Sequence, residues 1–205
     1  MSQTLPTNLI VVGTEGNTGV YSPTFKQLGN VGALGGWTLK MMTSNNTGAI
    51  YSVGTDGNVG IWNAQTGKWD NQGNLGGWTL KWIAFAPGTN RMWCIGTDGN
   101  AGIWNGSGWD NQGLLGNWTM DMIVFQSDGT MWGVGSEGNV GRWVPNQGAW
   151  DNKGNLGGWT LKMLAFNGAD MWCVGTDGKV GLLSFTSWIN FGLVGGWTAS
   201  SIYFE

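Results

Sequence analysis

Apolar and polar residues alternate along this chain in short runs, and the runs return at a fixed interval. In residues 79–113, "TLKWIAF" (79–85) alternates and ends apolar, and "MWCIG" (92–96) is rich in strand formers. "TDGN" (97–100) carries an Asp-Gly pair that supplies positive φ in a hairpin turn, and "AGIWN" (101–105) and "WDNQG" (109–113) complete a set of four strands. No segment holds a helical period over about eleven residues, which excludes folds that alternate strand and helix.

The interval is set by "GGWT" at 35–38, 76–79, 157–160 and 195–198, with "GNWT" at 116–119. Trp37, Trp78, Trp118, Trp159 and Trp197 are spaced by 41, 40, 41 and 38 residues, in the range of propeller blades. A second marker, "GTDGNVGIWN" (54–63), recurs as "GTDGNAGIWN" (96–105) and more loosely at 13–22, 135–144 and 175–184. Five repeats, approximately 9–49, 50–91, 92–130, 131–170 and 171–205, therefore fill one domain spanning 1–205. The chain opens on "LIVVG" (9–13), which matches the second strand of a unit, and finishes on "TASSIYFE" (198–205), which matches the first. The expected fold is all-β: a five-bladed β-propeller with four antiparallel strands per blade, closed by the C-terminal strand pairing with the N-terminal blade.

Composition narrows the function. With 39 Gly and 16 Trp among 205 residues, the chain reads as tight turns around a Trp-filled interior, not as disorder. Charged residues are only 10% and the net charge is −3, which disfavours a basic surface for nucleic acid. No apolar run approaches the roughly 18 residues of a membrane span, so no membrane insertion is expected. With no signal-like segment at the start, the expected location is the cytoplasm, or outside the cell by a non-classical route. The glycosylation patterns at Asn45, Asn105 and Asn117 are then expected to stay bare. Cys94 and Cys173 share one column of non-adjacent repeats and are expected to be free, buried thiols.

The repeats also tell the two ends of a blade apart. Trp69 to Trp78, Trp109 to Trp118, Trp150 to Trp159 and Trp188 to Trp197 are each nine residues apart, whereas the loops between strands one and two and between three and four vary. In an up-and-down blade the variable loops share one end, and the "TDGN" hairpin shares the other with the "NLGGWT" connection. That uniform end suits a sugar. Asp56, Asp98 and Glu137 offer acceptors, Asn58, Asn100 and Asn139 offer donor and acceptor, and Gly76 and Gly77 permit close approach. Asn74 and Asn155 head two of the connections, and Trp78, Trp118 and Trp159 could present an apolar face to a pyranose ring. Each element also has a bland reading, since Asp-Gly-Asn is a turn signal and a repeated Trp is core. In "WDN", Asp70 and Asn71 read as a strand start with a local Asp turn, or as lining a groove between blades. Repeat one has Leu28-Gly29-Asn30 in place of Trp-Asp-Asn, and repeat five has Lys179 for Asn and Ile189 for Asp, so sites using those positions are expected to be weak.

"GGWTLKWIAF" with "MWCIG", and "GNWTMDMIVF" with "MWGVG", resemble the repeat of the tachylectin-type five-bladed propeller lectins. "VGTDGNVGIW" is similar to tectonin repeats. The resemblance covers essentially the whole chain. It implies a multivalent lectin for N-acetylated hexosamine glycans (GlcNAc or GalNAc), with an agglutinating or defensive role. A protein-interaction propeller without a sugar site is the alternative. No enzyme, cofactor or metal is expected: the chain has no His, its carboxylates recur in symmetric columns, and one Asp per "TDGN" falls short of a calcium loop.

Overall fold

The computed structural model describes residues 5–22, 24–25, 27–184 and 187–205. Each repeat's apolar runs become strands, numbered here along the chain. Blade I holds β1 (Leu9–Gly13), β2 (Thr18–Ser22) and β3 (Gln27–Gly32). Blade II holds β4 (Leu39–Ser44), β5 (Ile50–Gly54), β6 (Val59–Asn63) and β7 (Lys68–Gly73). Blade III holds β8 (Leu80–Ala86), β9 (Arg91–Gly96), β10 (Ala101–Trp104) and β11 (Trp109–Gly113), and blade IV holds β12 (Met120–Phe125), β13 (Met131–Gly135), β14 (Val140–Val144) and β15 (Ala149–Gly154). Blade V holds β16 (Leu161–Asn167), β17 (Asp170–Gly175), β18 (Val180–Ser184) and β19 (Ser187–Gly192), and the last strand, β20 (Ala199–Phe204), returns to blade I. The result is five four-stranded antiparallel sheets, one of them ordered β20-β1-β2-β3, so the ring is closed by the C-terminal strand as expected.

Burial runs from the first strand outward. Leu39, Met41, Leu80, Ile83, Met120, Met122, Leu161 and Met163 of the first strands are buried, and the long unbranched methionines among them fill the space where blades converge. The fourth strands are mostly exposed and polar, as in Lys68–Gly73, which blunts the outer edge against further pairing.

The hairpins also clasp neighbouring blades. The Leu39 N–H donates to the Gly16 carbonyl, Leu80 to Gly57, Met120 to Gly99, Leu161 to Gly138 and Ala199 to Gly178, at 3.0–3.4 Å, so each hairpin holds the first strand of the next blade. The turn itself has three residues, with Gly57 N–H donating to the Gly54 carbonyl and Gly54 N–H to the Asn58 carbonyl. Gly57 alone takes positive φ, at +80°, the pattern of a type I turn followed by a left-handed glycine. A Cβ on Gly57 would lie 2.5 Å from the Thr79 Cγ2, so glycine is required there by the clasp as well as by φ. Cys94 and Cys173 are buried and unpaired, and burial pushes both thiols far above their ordinary range.

Candidate functional site

The uniform end of the ring is assembled from three columns of residues, and most of their polar groups have a local task. In the fourth strand the Asn of "WDN" accepts a hydrogen bond from the N–H of a left-handed glycine two residues on. Asn71 does so for Gly73, and Asn30, Asn111, Asn152 and Asn190 for Gly32, Gly113, Gly154 and Gly192, at 2.6–2.7 Å. Asp70 turns the other way: it accepts from Asn63 Nδ2 at 3.1 Å, as Asp110 does from Asn105 at 2.7 Å, and both partners lie toward the variable-loop end. Asn71 and Asp70 are thus not brought together on one surface.

The "WDN" Trp is an anchor. Its indole N–H donates to the carbonyl of the single 3-10 turn that leads into the blade: Trp69 to Leu34, Trp109 to Leu75, Trp150 to Leu115 and Trp188 to Leu156, at 2.5–2.8 Å. Gly76, with φ +61°, sits so close to this ring that a Cβ would meet the Trp109 Cδ1 at 2.7 Å. Gly77 at φ +77° has nothing within 4 Å of such an atom and faces solvent. Asn74 and Asn155 precede their turns with exposed side chains that make no cap hydrogen bond.

Trp78, Trp118 and Trp159 of the connections are half-buried. Each lies over its own blade, with Trp78 near Gly96 and Gly102 and 6.3 Å, centroid to centroid, from Trp109. One part of the indole is packed and the rest borders the hairpin. In blade IV, Asn117, Trp118 and Thr119 line a concavity of about 320 Å³ with Ser136, Glu137, Asn139 and Asn152. In blade I the equivalent residues Trp197, Thr198, Thr14, Glu15, Asn17 and Asn30 line one of about 350 Å³. So the structure brings Trp118, Glu137 and Asn139 together as the sequence suggests, and adds Thr119, Ser136 and Asn152.

Hairpins with Asp differ from hairpins with Glu. Asp56 accepts from the Asn58 backbone N–H at 3.0 Å and from Asn58 Nδ2 at 2.7 Å, and Asp98 does the same with Asn100. In blade V Asp177 takes both the N–H and the ammonium of Lys179, which holds its carboxyl below the usual range. Asp is short enough to fold back on its own turn. Glu carries one more methylene, and among the described residues neither Glu15 nor Glu137 accepts a side-chain hydrogen bond or pairs with a cation within 4 Å. The two concavities above lie in these Glu blades. Blade I, marked as weak by its Leu28-Gly29-Asn30, keeps the one residue of that triplet that borders the concavity, Asn30.

The opposite end carries aromatic rings around its centre. A cavity of about 240 Å³ on the axis is lined by all five first strands, with Phe85, Phe125, Phe166 and Phe204 around it. Sequence reasoning also passed over the residue that follows "WTL". It is Lys40, Lys81 and Lys162 in three repeats, and that column was the available signal.

Among the described residues no helix is long and apolar enough to cross a membrane. Among the described residues no three His, Cys, Asp or Glu side chains gather as a metal site would require.

No family model and no curated protein matches the chain. Solved structures do. A chain of "YCF48 bound to D1 peptide" is similar over 91% of this chain and 65% of its own length, at 12% identity and a TM-score of 0.50. A chain of the "Crystal Structure of Mitotic Checkpoint Complex" is similar over 90% of this chain and 59% of its own length, at 12% identity and a TM-score of 0.51. The chain thus spans roughly three-fifths to two-thirds of the chains it resembles, and the likeness at this identity is one of fold: this chain is a β-propeller.

Proposed function

We propose that the hairpin end is a multivalent glycan-binding face and that the protein is a lectin, not an enzyme. The observation that carries this reading is the set formed by Trp118, Glu137, Asn139 and Asn152 around one open concavity, repeated around Trp197 with Glu15, Asn17 and Asn30. A half-exposed indole suits the C–H face of a pyranose, a carboxylate accepts from hydroxyls, and an amide serves both roles. Each concavity holds a single carboxylate, which fits binding better than the paired carboxylates of glycoside hydrolysis. N-acetylated hexosamines are the sugars suggested by the likeness to tachylectin-type repeats. Blades I and IV are the strongest sites in this reading, because the hairpin side chains Glu15, Asn17, Glu137 and Asn139 are not spent on the turn. A shallow site of this kind holds a monosaccharide with a Kd of roughly 1 mM to 1 μM, and two or more on one rigid face add about 10² to 10⁴ in avidity.

A glycan array probed with the parent protein tests the reading. Binding to clustered GlcNAc- or GalNAc-ended glycans, competed by the free sugar only at far higher concentration, is expected. A blank array would favour the alternative, a protein-interaction propeller, for which the axial cavity ringed by Phe85, Phe125, Phe166 and Phe204 at the opposite end is the supporting feature.

A further inference from the structure

At the variable-loop end, the joint between blades III and IV is more open than its counterparts. At three joints an aromatic ring from the second strand of one blade faces one from the first strand of the next. Tyr51 and Phe85 lie 4.8 Å apart between centroids, Trp172 and Phe204 5.5 Å, and Trp93 and Phe125 6.1 Å. The widest pair borders a cleft of about 440 Å³, walled by Trp93, Phe125, Met131, Trp143 and Pro145, with Asp128 and Thr130 as further polar lining. Trp93, Phe125 and Trp143 are each half-buried, so part of every ring is free to meet a ligand. Trp143 is also held in place: it meets Trp150 edge to face at 5.1 Å, and the Trp150 indole N–H donates to the Leu115 carbonyl at 2.8 Å.

The carboxylate is particular to this joint. Asp128 is the only acidic residue in the loops that join first to second strands, 45–49, 87–90, 126–130 and 168–169. Its Oδ1 accepts the Thr130 N–H at 2.8 Å, and this bond holds the carboxyl below the usual range, so the group is ionised and its turn is fixed. Among the described residues no Lys or Arg lies within 4 Å of it, and no Lys, Arg, Asn or Gln lines the cleft. Other blades lack part of the set. Blade III has Phe85 and Trp104 but no acid in its 87–90 loop, and blade V has Leu183 where blade IV has Trp143.

Three aromatic rings and an unpaired carboxylate around one cleft suit a cation. The face of an aromatic ring is negative and attracts a positive charge within about 6 Å of its centre, and the carboxylate adds to that pull. A sugar needs donors and acceptors in number, such as the amides of the hairpin concavities, and no amide side chain lines this cleft. A bare ammonium is strongly hydrated and gives up its water poorly among rings, whereas a methylated one packs its methyl groups on them and keeps its charge. We propose that the cleft between blades III and IV binds a quaternary ammonium group, its methyls against Trp93, Phe125 and Trp143 and its charge toward Asp128. A phosphate attached to that group finds no cation in the lining to receive it, which favours choline over phosphocholine. The site occurs once, at the end opposite the glycan face, and does not depend on the glycan reading.

Calorimetric titration of choline into the full chain tests the proposal, with an expected Kd of roughly 0.1–1 mM. The neutral carbon analogue of choline, in which tert-butyl replaces trimethylammonium, has the same shape and should bind at least about tenfold more weakly. Asp128→Asn keeps an acceptor for the Thr130 N–H, so the turn should hold, and should weaken choline about twofold to fivefold. Trp143→Leu installs the residue that blade V carries in that column and should weaken it about tenfold. The comparison of choline with its neutral analogue needs no variant. Absence of choline binding, a neutral analogue that binds as tightly, affinity unchanged in both variants, or displacement of choline by GlcNAc would overturn the proposal. The amide of acetylated trimethyl-lysine identifies the source. Binding several-fold tighter than that of choline assigns the group to a methylated side chain of a partner protein, and equal or weaker binding assigns it to a free solute of the choline type.

Discussion

The two ends of this ring are built under opposite constraints. At the variable-loop end, the connections between strands one and two and between three and four change length and composition from blade to blade, and phenylalanines ring the centre. At the hairpin end, the connection and turn are nearly constant, and most of that constancy has a structural cause. The hairpin carbonyl clasps the next blade, the "WDN" Trp anchors the incoming turn, and the Asn caps a left-handed glycine. Repetition alone is therefore not a ligand signature, because a closed ring of like blades must repeat its joints. What points to a ligand is the remainder: the open part of Trp118, and the Glu137 and Asn139 side chains that the turn does not use.

The largest expected effect is on closure. Deleting residues 198–205 removes Ala199, Ser201 and Ile202, all buried, and leaves β1 as an unpaired inner edge. The loss should be several kcal/mol, a large part of the stability of an ordinary domain, and circular dichroism melts should show it as a lower, broader transition. Melts that overlay those of the parent would break the picture of a ring held by its joints.

A smaller effect separates adjacent glycines within the joint. Gly76→Ala adds a Cβ at 2.7 Å from Trp109 at φ +61°, and should cost about 2–4 kcal/mol through overpacking and left-handed strain. Gly77→Ala meets nothing within 4 Å and bears the strain alone, about 1–2 kcal/mol. Denaturant unfolding of the two variants should rank them in that order, and equal losses would remove the Trp anchor as the reason for the first glycine.

The smallest effect on stability bears most on function. Glu137→Asp should let the carboxylate fold back on Asn139 as Asp98 does on Asn100, changing stability by no more than about 0.5 kcal/mol while weakening glycan binding several-fold. Asp98→Glu should do the reverse. Titration calorimetry with GlcNAc reads both, and unchanged affinity in the pair would remove the distinction between Glu and Asp blades.

The architecture was legible because each strand carries its own pattern and the Trp spacing counts the blades. Closure was legible because the chain begins at a second strand and ends at a first. The site was legible only in part. "TDGN" and "WDN" read alike as turn signals or sugar ligands, and the choice depends on hydrogen bonds between residues two apart that a sequence does not display. Nor does the sequence show that one methylene, Asp56 against Glu137, decides whether a carboxylate is bound to its own turn. Lys40, Lys81 and Lys162 stand in one column of the repeat, but the register skip that falls on each of them is not visible in the sequence.

The most direct test of the central claim replaces Glu15 and Glu137 with Ala together with Asn17 and Asn139, and measures binding to an immobilised glycan surface that the parent binds. These side chains lie on exposed or half-exposed turns, so the melting temperature should fall only modestly. Binding should drop by at least about a hundredfold as avidity is lost. A folded variant that holds the surface as tightly as the parent would place the ligand elsewhere on the ring and contradict the assignment of the hairpin end.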